Sequence, residues 1–290
     1  MKFGDTPLDQ ASGAILAHSV RTVDVSFKKG RVLTESDVDG LRTAGIASVI
    51  AARLGTDDVG EDAAAARIAQ AAASEHLEIS AAFTGRVNLY AKIAGLVDYD
   101  PLQLDQINMV DESATVALLP PLAPVVPRQM VGTVKIIPFA APEVVVASCE
   151  MMAQGGLVQI APYRARTVGL VQTSLPGTKL SVLDKTTQTL STRIEALGGH
   201  LTTERRCHHA TDAILAEIEA LLAEGCEMVL IAGASAITDR RDVIPAAIVA
   251  SGGTVDHFGM PVDPGNLMLL GHTKSTPVLG LPGCARSPKL

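Results

Sequence analysis

Tryptophan is missing from these 290 residues, and aromatic side chains make up only 3% of them. A chain so poor in rings has no stacking platform for the bases of a single-stranded nucleic acid. Its core must therefore be aliphatic. Basic charge is equally scarce: the net charge is −7, and no stripe of Lys and Arg is present to track a phosphate backbone, so nucleic acid is not an expected partner. No apolar run approaches the roughly 20 residues that a membrane span needs. The opening MKFGDTPLDQ has no signal-peptide pattern, and the expected location is cytoplasmic, with no membrane partner. The four cysteines, Cys149, Cys207, Cys226 and Cys284, lie far apart without paired spacing and read as reduced thiols. Cys207-His208-His209 groups three metal-ligand types, but adjacent strand residues point to opposite faces and seldom converge on one ion.

Aliphatic sequence is what remains in quantity. Hydrophobic residues make up 47% of the chain, and continuous runs of Val, Ile and Leu suit parallel strands covered by helices. The length favours two domains, and the pattern changes near Tyr163, between a mixed α/β region over 1–163 and a regular one over 164–290. In the first, a helix is expected over 36–44, stopped by Gly45, and a strand over 46–51. An alanine-rich helix is expected over 61–76, with acids at its start where the helix dipole favours them. An alternating strand follows over 131–137. Pro120, Pro121, Pro124, Pro127, Pro138 and Pro142 mark a loop or domain edge.

In the second region, strands over 167–171, 201–205 and 228–231 alternate with two helical stripes. One joins Leu183, Leu190, Ile194 and Leu197, closed by Gly198-Gly199. The other joins Ile214, Leu215, Ile218, Leu221 and Leu222, capped by Thr211 and closed by Gly225. A short helix over 243–250 and strands over 254–258, 267–270 and 278–281 complete the chain. Alternation of strand with helix predicts a three-layer α/β/α domain with a mainly parallel sheet.

Ligands of open parallel sheets bind beyond the carboxyl ends of the strands, and three loops qualify. The first is Thr173-Ser174-Leu175-Pro176-Gly177-Thr178-Lys179, where hydroxyls, a glycine and a lysine precede a helix whose positive end favours anions. Asp184 lies at that helix's start, a place the dipole alone favours for an acid. The second, GASAITDRRDVIPAAI, sets Asp239, Arg240, Arg241 and Asp242 between a strand and a helix, while Gly233 and Ser235 permit close backbone approach. Capping accounts for Asp242, but for neither Asp239 nor the paired arginines. Arginine suits bidentate phosphate contacts, and aspartates can hold a divalent metal that bridges phosphates. An anion-and-metal site is therefore expected, with Asp239 and Asp242 as metal ligands. The third loop is Leu281-Pro282-Gly283-Cys284-Ala285-Arg286-Ser287, with Lys289 beyond it. Pro264-Gly265-Asn266 reads as a structural turn.

At these loops the sequence resembles the molybdopterin-binding domain of molybdenum-cofactor biosynthesis proteins, the family of molybdopterin adenylyltransferases and molybdenum insertases. The matching positions are Thr173 to Lys179, Asp184, Gly233 to Ser235 with Asp242, Pro264-Gly265, and Gly280-Leu281-Pro282-Gly283. Arg241-Asp242-Val243-Ile244-Pro245 is close to the adenylyltransferase form. The pattern departs at Ala232 and Ile237, where glycines are usual, at Asn266-Leu267 in place of Lys-Pro, and at Cys284-Ala285-Arg286 in place of Asn-Pro. In the first half, Gly13-Ala14-Ile15-Leu16-Ala17 and Lys29-Gly30-Arg31-Val32-Leu33, with Asp37, Leu41 and Gly45, are similar to N-terminal parts of insertases.

The resemblance implies a molybdopterin-binding fold over 164–290 and a smaller mixed α/β region before it. It implies that Thr173, Ser174, Gly177, Lys179, Gly233, Ser235, Arg240, Arg241, Pro264, Gly265, Pro282, Gly283, Arg286 and Ser287 hold the pterin's phosphate and dithiolene. Asp184 and Asp242 would be catalytic, positioning magnesium or molybdate, with ATP or CTP as a possible co-substrate. Such catalysis works through positioning and electrostatics. The altered loops favour an alternative: a non-catalytic module that delivers molybdopterin to a molybdoenzyme or nucleotidyltransferase partner. Relatives continue past the last turn, which implies that the chain is part of a longer protein. They also commonly form dimers or trimers, so a homo-oligomer is expected.

Overall fold

The alanine-rich stretch of the first half forms the helix Glu61–Ala72, whose Ala64, Ala65, Ile68, Ala69 and Ala72 are fully buried. Its small side chains allow a second helix, Glu143–Ala153, to pack against it, over a four-stranded antiparallel sheet that includes Arg86–Ala91 and Met130–Ile136. The first helix stops at Ala72, short of the expected 76, because Ala73 turns extended and bridges Val158. Two helices hid in the sequence behind proline. Pro142 stands immediately before Glu143–Ala153, and Pro101 opens Pro101–Asn108, where Asp100 accepts the Leu102 amide at 2.9 Å. Proline at a helix start loses no intrahelical bond. A separate small core gathers Leu8, Leu16, Leu33, Val38, Leu41 and Val49 around the helix Glu35–Thr43.

These elements belong to the first of two units, Met1–Pro162 and Tyr163–Leu290, in a computed structural model that describes residues 1–23 and 26–287. The first unit is thus the longer, not the smaller. Among the described residues, no helix is long and apolar enough to cross a membrane.

The second unit holds one six-stranded sheet. Its elements are β1 (Thr167–Ser174), α1 (Leu180–Ala196), β2 (His200–His208), α2 (Thr211–Ala223), β3 (Met228–Ala232), α3 (Val243–Ala250), β4 (Thr254–Asp263), β5 (Asn266–Thr273) and β6 (Thr276–Leu281). The strand order is β2-β1-β3-β6-β5-β4. The pairings β2–β1, β1–β3 and β3–β6 are parallel, while β6–β5 and β5–β4 are antiparallel. The cause is loop length. Only Pro264-Gly265 separates β4 from β5, and only Lys274-Ser275 separates β5 from β6; parallel strands need a crossover of a dozen residues or more. Since the ladders of the first unit also run antiparallel, the chain as a whole is mixed α/β with mostly antiparallel sheets. A mainly parallel architecture does not describe it.

Ile214, Ile218 and Leu221 of α2 and Ile244, Ala247 and Ile248 of α3 share a core with Val171, Val229, Ile231 and Val278 on one face of the sheet. Leu190 of α1 packs with Val168, Leu170 and Leu230 on the other. Leu197, expected in the α1 stripe, is 49% exposed at the helix's C-cap. Thr211 is the first residue of α2, and Ala210 takes the cap position with no side-chain bond. The connections leaving β1 and β3 run to opposite sides of the sheet, on opposite faces. Their loops therefore diverge around a crevice at the carboxyl ends of two adjacent strands, the place where open α/β sheets take ligands.

In the first unit, Arg31 grips Asp37 through Nε and Nη2, both at 2.8 Å, and Asp37 closes a reciprocal capping box with Thr34. The Arg31 guanidinium is the main cause holding this carboxyl at about 2. Because the folded value lies below the unfolded one, the stabilisation is complete above about pH 4 and is lost as pH falls toward 2. Asp37→Asn should cost about 1–2 kcal/mol at pH 7, read by urea denaturation, and the difference from wild type should vanish near pH 2.

Candidate functional site

Thr173, fully buried at the end of β1, organises the crevice. Its hydroxyl accepts the Ala234 amide at 2.7 Å and lies 2.9 Å from His209 Nδ1. The loop that follows β3 is thereby tied to β1 and to the end of β2. Next along the chain, Ser174 Oγ donates to the Cys207 carbonyl at 3.3 Å. Leu175 to Thr178 then closes on itself, with the Leu175 amide on Thr178 Oγ1 and the Thr178 amide on the Leu175 carbonyl, both at 3.0 Å. Gly177, at φ +89°, permits this turn. Lys179 follows as the exposed N-cap residue of α1.

Asp184 is turned elsewhere. It accepts Arg206 Nη2 at 2.7 Å, and Arg206 also reaches Glu204, which in turn accepts Gln172 Nε2 at 2.7 Å. This network holds α1 to β2 and keeps the Arg206 guanidinium above its usual range, through Glu204 first and Asp184 second. Among the described residues, Asp184 and Asp242 share no hydrogen-bond partner.

The charged loop is largely self-contained. Asp239 Oδ1 accepts the amide and Nε of Arg241 at 2.8 and 3.1 Å. Asp242 is the N-cap of α3: Oδ1 takes the Val243 amide at 2.7 Å, and Oδ2 takes the amide and hydroxyl of Thr238 at 3.0 and 3.3 Å. These bonds, the Thr238 amide foremost, hold the Asp242 carboxyl below its ordinary value. Arg240 leaves the loop to bond the Val255 carbonyl at 3.2 Å and to lie 5.9 Å from the centre of the Phe258 ring. The Arg241 side chain is 93% exposed. Among the described residues, no three His, Cys, Asp or Glu side chains are grouped as a metal would need. In Cys207-His208-His209, Cys207 packs against the α2–α3 core and burial pushes its thiol up to about 11, while His209 turns to Thr173.

A cavity of about 250 Å³ opens where the loops after β3 and β6 meet the β4–β5 turn. Of the expected residues, Gly233, Ser235, Gly265, Pro282, Gly283 and Arg286 line it; Ala236, Ile237, Asn266 and Leu267 do so as well, unforeseen. Arg286 donates to the Gly233 carbonyl and so joins the two loops. Gly233 leaves little room for a side chain, since a Cβ there would stand 2.8 Å from Ile244 Cδ1 and 3.0 Å from the Ser235 carbonyl and both would have to shift. Asn266 Nδ2 closes the hairpin onto Asp263 at 3.3 Å, with Pro264 on the turn between them. Arg193 of α1 binds the Ala285 and Ser287 carbonyls at 2.9 and 2.6 Å, anchoring the last turn. Thr173, Ser174, Gly177, Lys179, Asp184, Asp239, Arg240, Arg241, Asp242, Pro264 and Ser287 are not among the cavity's lining residues. Lys289 lies outside the described residues.

Comparison with known proteins adds little to this geometry. A family described as "Domain of unknown function (DUF8806)" matches residues 5–53. No curated protein matches the chain. Among solved structures, NadC from Streptococcus pyogenes is similar at 14% identity over 66% of this chain and 72% of that one, with a TM-score of 0.19. A likeness that low carries no argument.

Thr173→Val removes the acceptor of the buried Ala234 amide and should cost about 1–3 kcal/mol, read by thermal or urea denaturation. Thr173→Ser, which keeps the hydroxyl, should recover most of the loss.

Proposed function

We propose that the second unit binds molybdopterin in the cavity between the β3 and β6 loops, within a three-layer domain of the molybdopterin-binding type. One observation carries this reading. Gly233 with Ser235, Gly265, and Pro282 with Gly283 belong to three separate stretches that the family resemblance singles out, and all five line a single cavity. The Arg286 guanidinium supplies a cation for the pterin's phosphate. Pockets for whole ligands commonly span about 300–1,000 Å³, so this smaller space suits the phosphate and one part of the ring system, the remainder lying along the open edge of the crevice.

The same geometry favours binding and delivery over adenylyl or molybdate transfer. Asp242 already accepts the Thr238 and Val243 amides, Asp239 accepts Arg241, and Asp184 is paired with Arg206. These carboxylates do not fit a shared divalent ion, and the proposal gives magnesium, ATP and CTP no step. It describes a cytoplasmic, homo-oligomeric protein that hands the pterin to a molybdoenzyme or a nucleotidyltransferase partner.

Gly283 tests this without disturbing the fold, because a Cβ there meets nothing within 4 Å. Gly283→Val should narrow the cavity, weaken molybdopterin binding at least about tenfold and leave the melting temperature unchanged. Unchanged affinity would remove the cavity from the account. With magnesium and ATP or CTP, or with molybdate, the bound pterin should be recovered unaltered. A nucleotidylated or molybdenum-loaded product would establish the transferase reading instead, and Asp242→Ala should then lower turnover at least about tenfold.

A further inference from the structure

The first unit contains a second and larger cavity, of about 650 Å³, with one acid, Glu61, and two lysines, Lys29 and Lys135, on its walls. Phe3, Lys29, Thr84, Lys135 and Phe139 line it together with Glu61, which stands at the start of its helix. The wall around Glu61 is firmly built. The Glu61 amide donates to the Phe139 carbonyl at 2.9 Å, the Asp62 carboxylate accepts the Gly85 amide at 2.7 Å, and Lys135 Nζ donates to the Thr84 carbonyl. A Cβ on Gly85 would come within 2.8 Å of Glu61 Oε2, so glycine there is what lets the carboxylate lie against this wall.

Within this frame the Glu61 carboxylate is half-buried, and no hydrogen bond or ion pair to it is found among the described residues. Burial raises its pKa against the opposing pull of Lys135 and Lys29. The Lys29 ammonium lies 5.7 Å from the centre of the Phe139 ring, and among the described residues it forms no ion pair with a carboxylate. Phe3 is 59% exposed at the rim. A half-buried carboxylate without a donor is costly to leave so, and the exposed Lys29 and Phe3 border the same cavity together with Phe139. Together they describe a ligand: an anion for the lysines, a flat ring for the phenylalanines, and paired N–H donors for the acid.

We propose that this cavity binds a nucleoside 5′-phosphate carrying guanine. The 2-amino-6-oxo edge of guanine offers two adjacent N–H groups, N1–H and the 2-amino group, to one carboxylate, whereas adenine and cytosine set an acceptor beside their amino group. Lys29 and Lys135 take the phosphate, and Phe139 with Phe3 takes the ring. The cavity's size lies in the range of nucleotide-sized pockets and well above that of the second unit's. The proposal is independent of the pterin reading, since all of its residues lie in the first unit.

The test is calorimetric titration of the whole chain with GMP, AMP, CMP and phenylalanine. GMP should bind saturably, at least about tenfold tighter than AMP or CMP, and more weakly as salt is raised. Lys29→Ala, at an exposed position, should reduce GMP affinity with the melting temperature unchanged. Glu61→Gln should narrow the preference for GMP over AMP, provided the far-ultraviolet dichroism matches wild type. Absence of GMP binding, equal affinity for AMP, tighter binding of phenylalanine, or GMP binding untouched by Lys29→Ala would each overturn the proposal, whatever molybdopterin does at the other cavity.

Discussion

One buried hydroxyl holds the binding edge of the second unit together. Parallel pairing of β1, β3 and β6 brings three loops to the same end of the sheet, but pairing alone does not say where the loops rest. Thr173 does, by accepting the Ala234 amide from inside the core. Once the Gly233 loop is held there, Arg286 reaches its carbonyl and the last turn closes over the same space. The absence of a side chain at Gly233 completes the arrangement, since a Cβ there would push on Ile244 and on the Ser235 carbonyl of its own loop.

The charge crowded between β3 and α3 has a local explanation. Asp239 folds the Arg241 backbone onto itself, Asp242 caps α3 and gathers Thr238, and Arg240 lies across the neighbouring hairpin onto Val255 and Phe258. Three of the four charges thus shape the loop that borders the cavity, and the fourth faces solvent. Charge at a strand-to-helix turn here serves to shape the loop itself. The cation lining the cavity comes instead from Arg286, directly after Cys284-Ala285, which stand where the resemblance leads one to expect Asn-Pro.

Much of the second unit is legible in the sequence, because its signals are local. Aliphatic runs end at glycines, helical stripes have the right period, and Asp242 stands directly before Val243. What escaped depends on residues distant in the chain. Asp184 at a helix start looks the same whether it faces a ligand or Arg206, and that partner sits 22 positions away on the adjacent strand. The antiparallel part of the sheet follows from two tight turns whose lengths were visible, yet alternation of strand and helix upstream pointed to a mainly parallel sheet. In the first unit, Pro138 and Pro142 read as part of a loop or domain edge, although Pro142 directly precedes the helix Glu143–Ala153. The cavity around Glu61 was not legible at all, because Lys29, Glu61 and Lys135 come together only through the fold.

The central claim is that the loops after β3 and β6 and the β4–β5 turn act as one binding site for a phosphorylated pterin. The most direct measurement is a ¹H–¹⁵N amide spectrum of the labelled chain, recorded as molybdopterin is added. The account predicts saturable shifts at Gly233, Ser235, Gly265 and Gly283, with the amides of the first unit unmoved. No shifts at these glycines, or shifts centred on Asp184 and Lys179 instead, would contradict it.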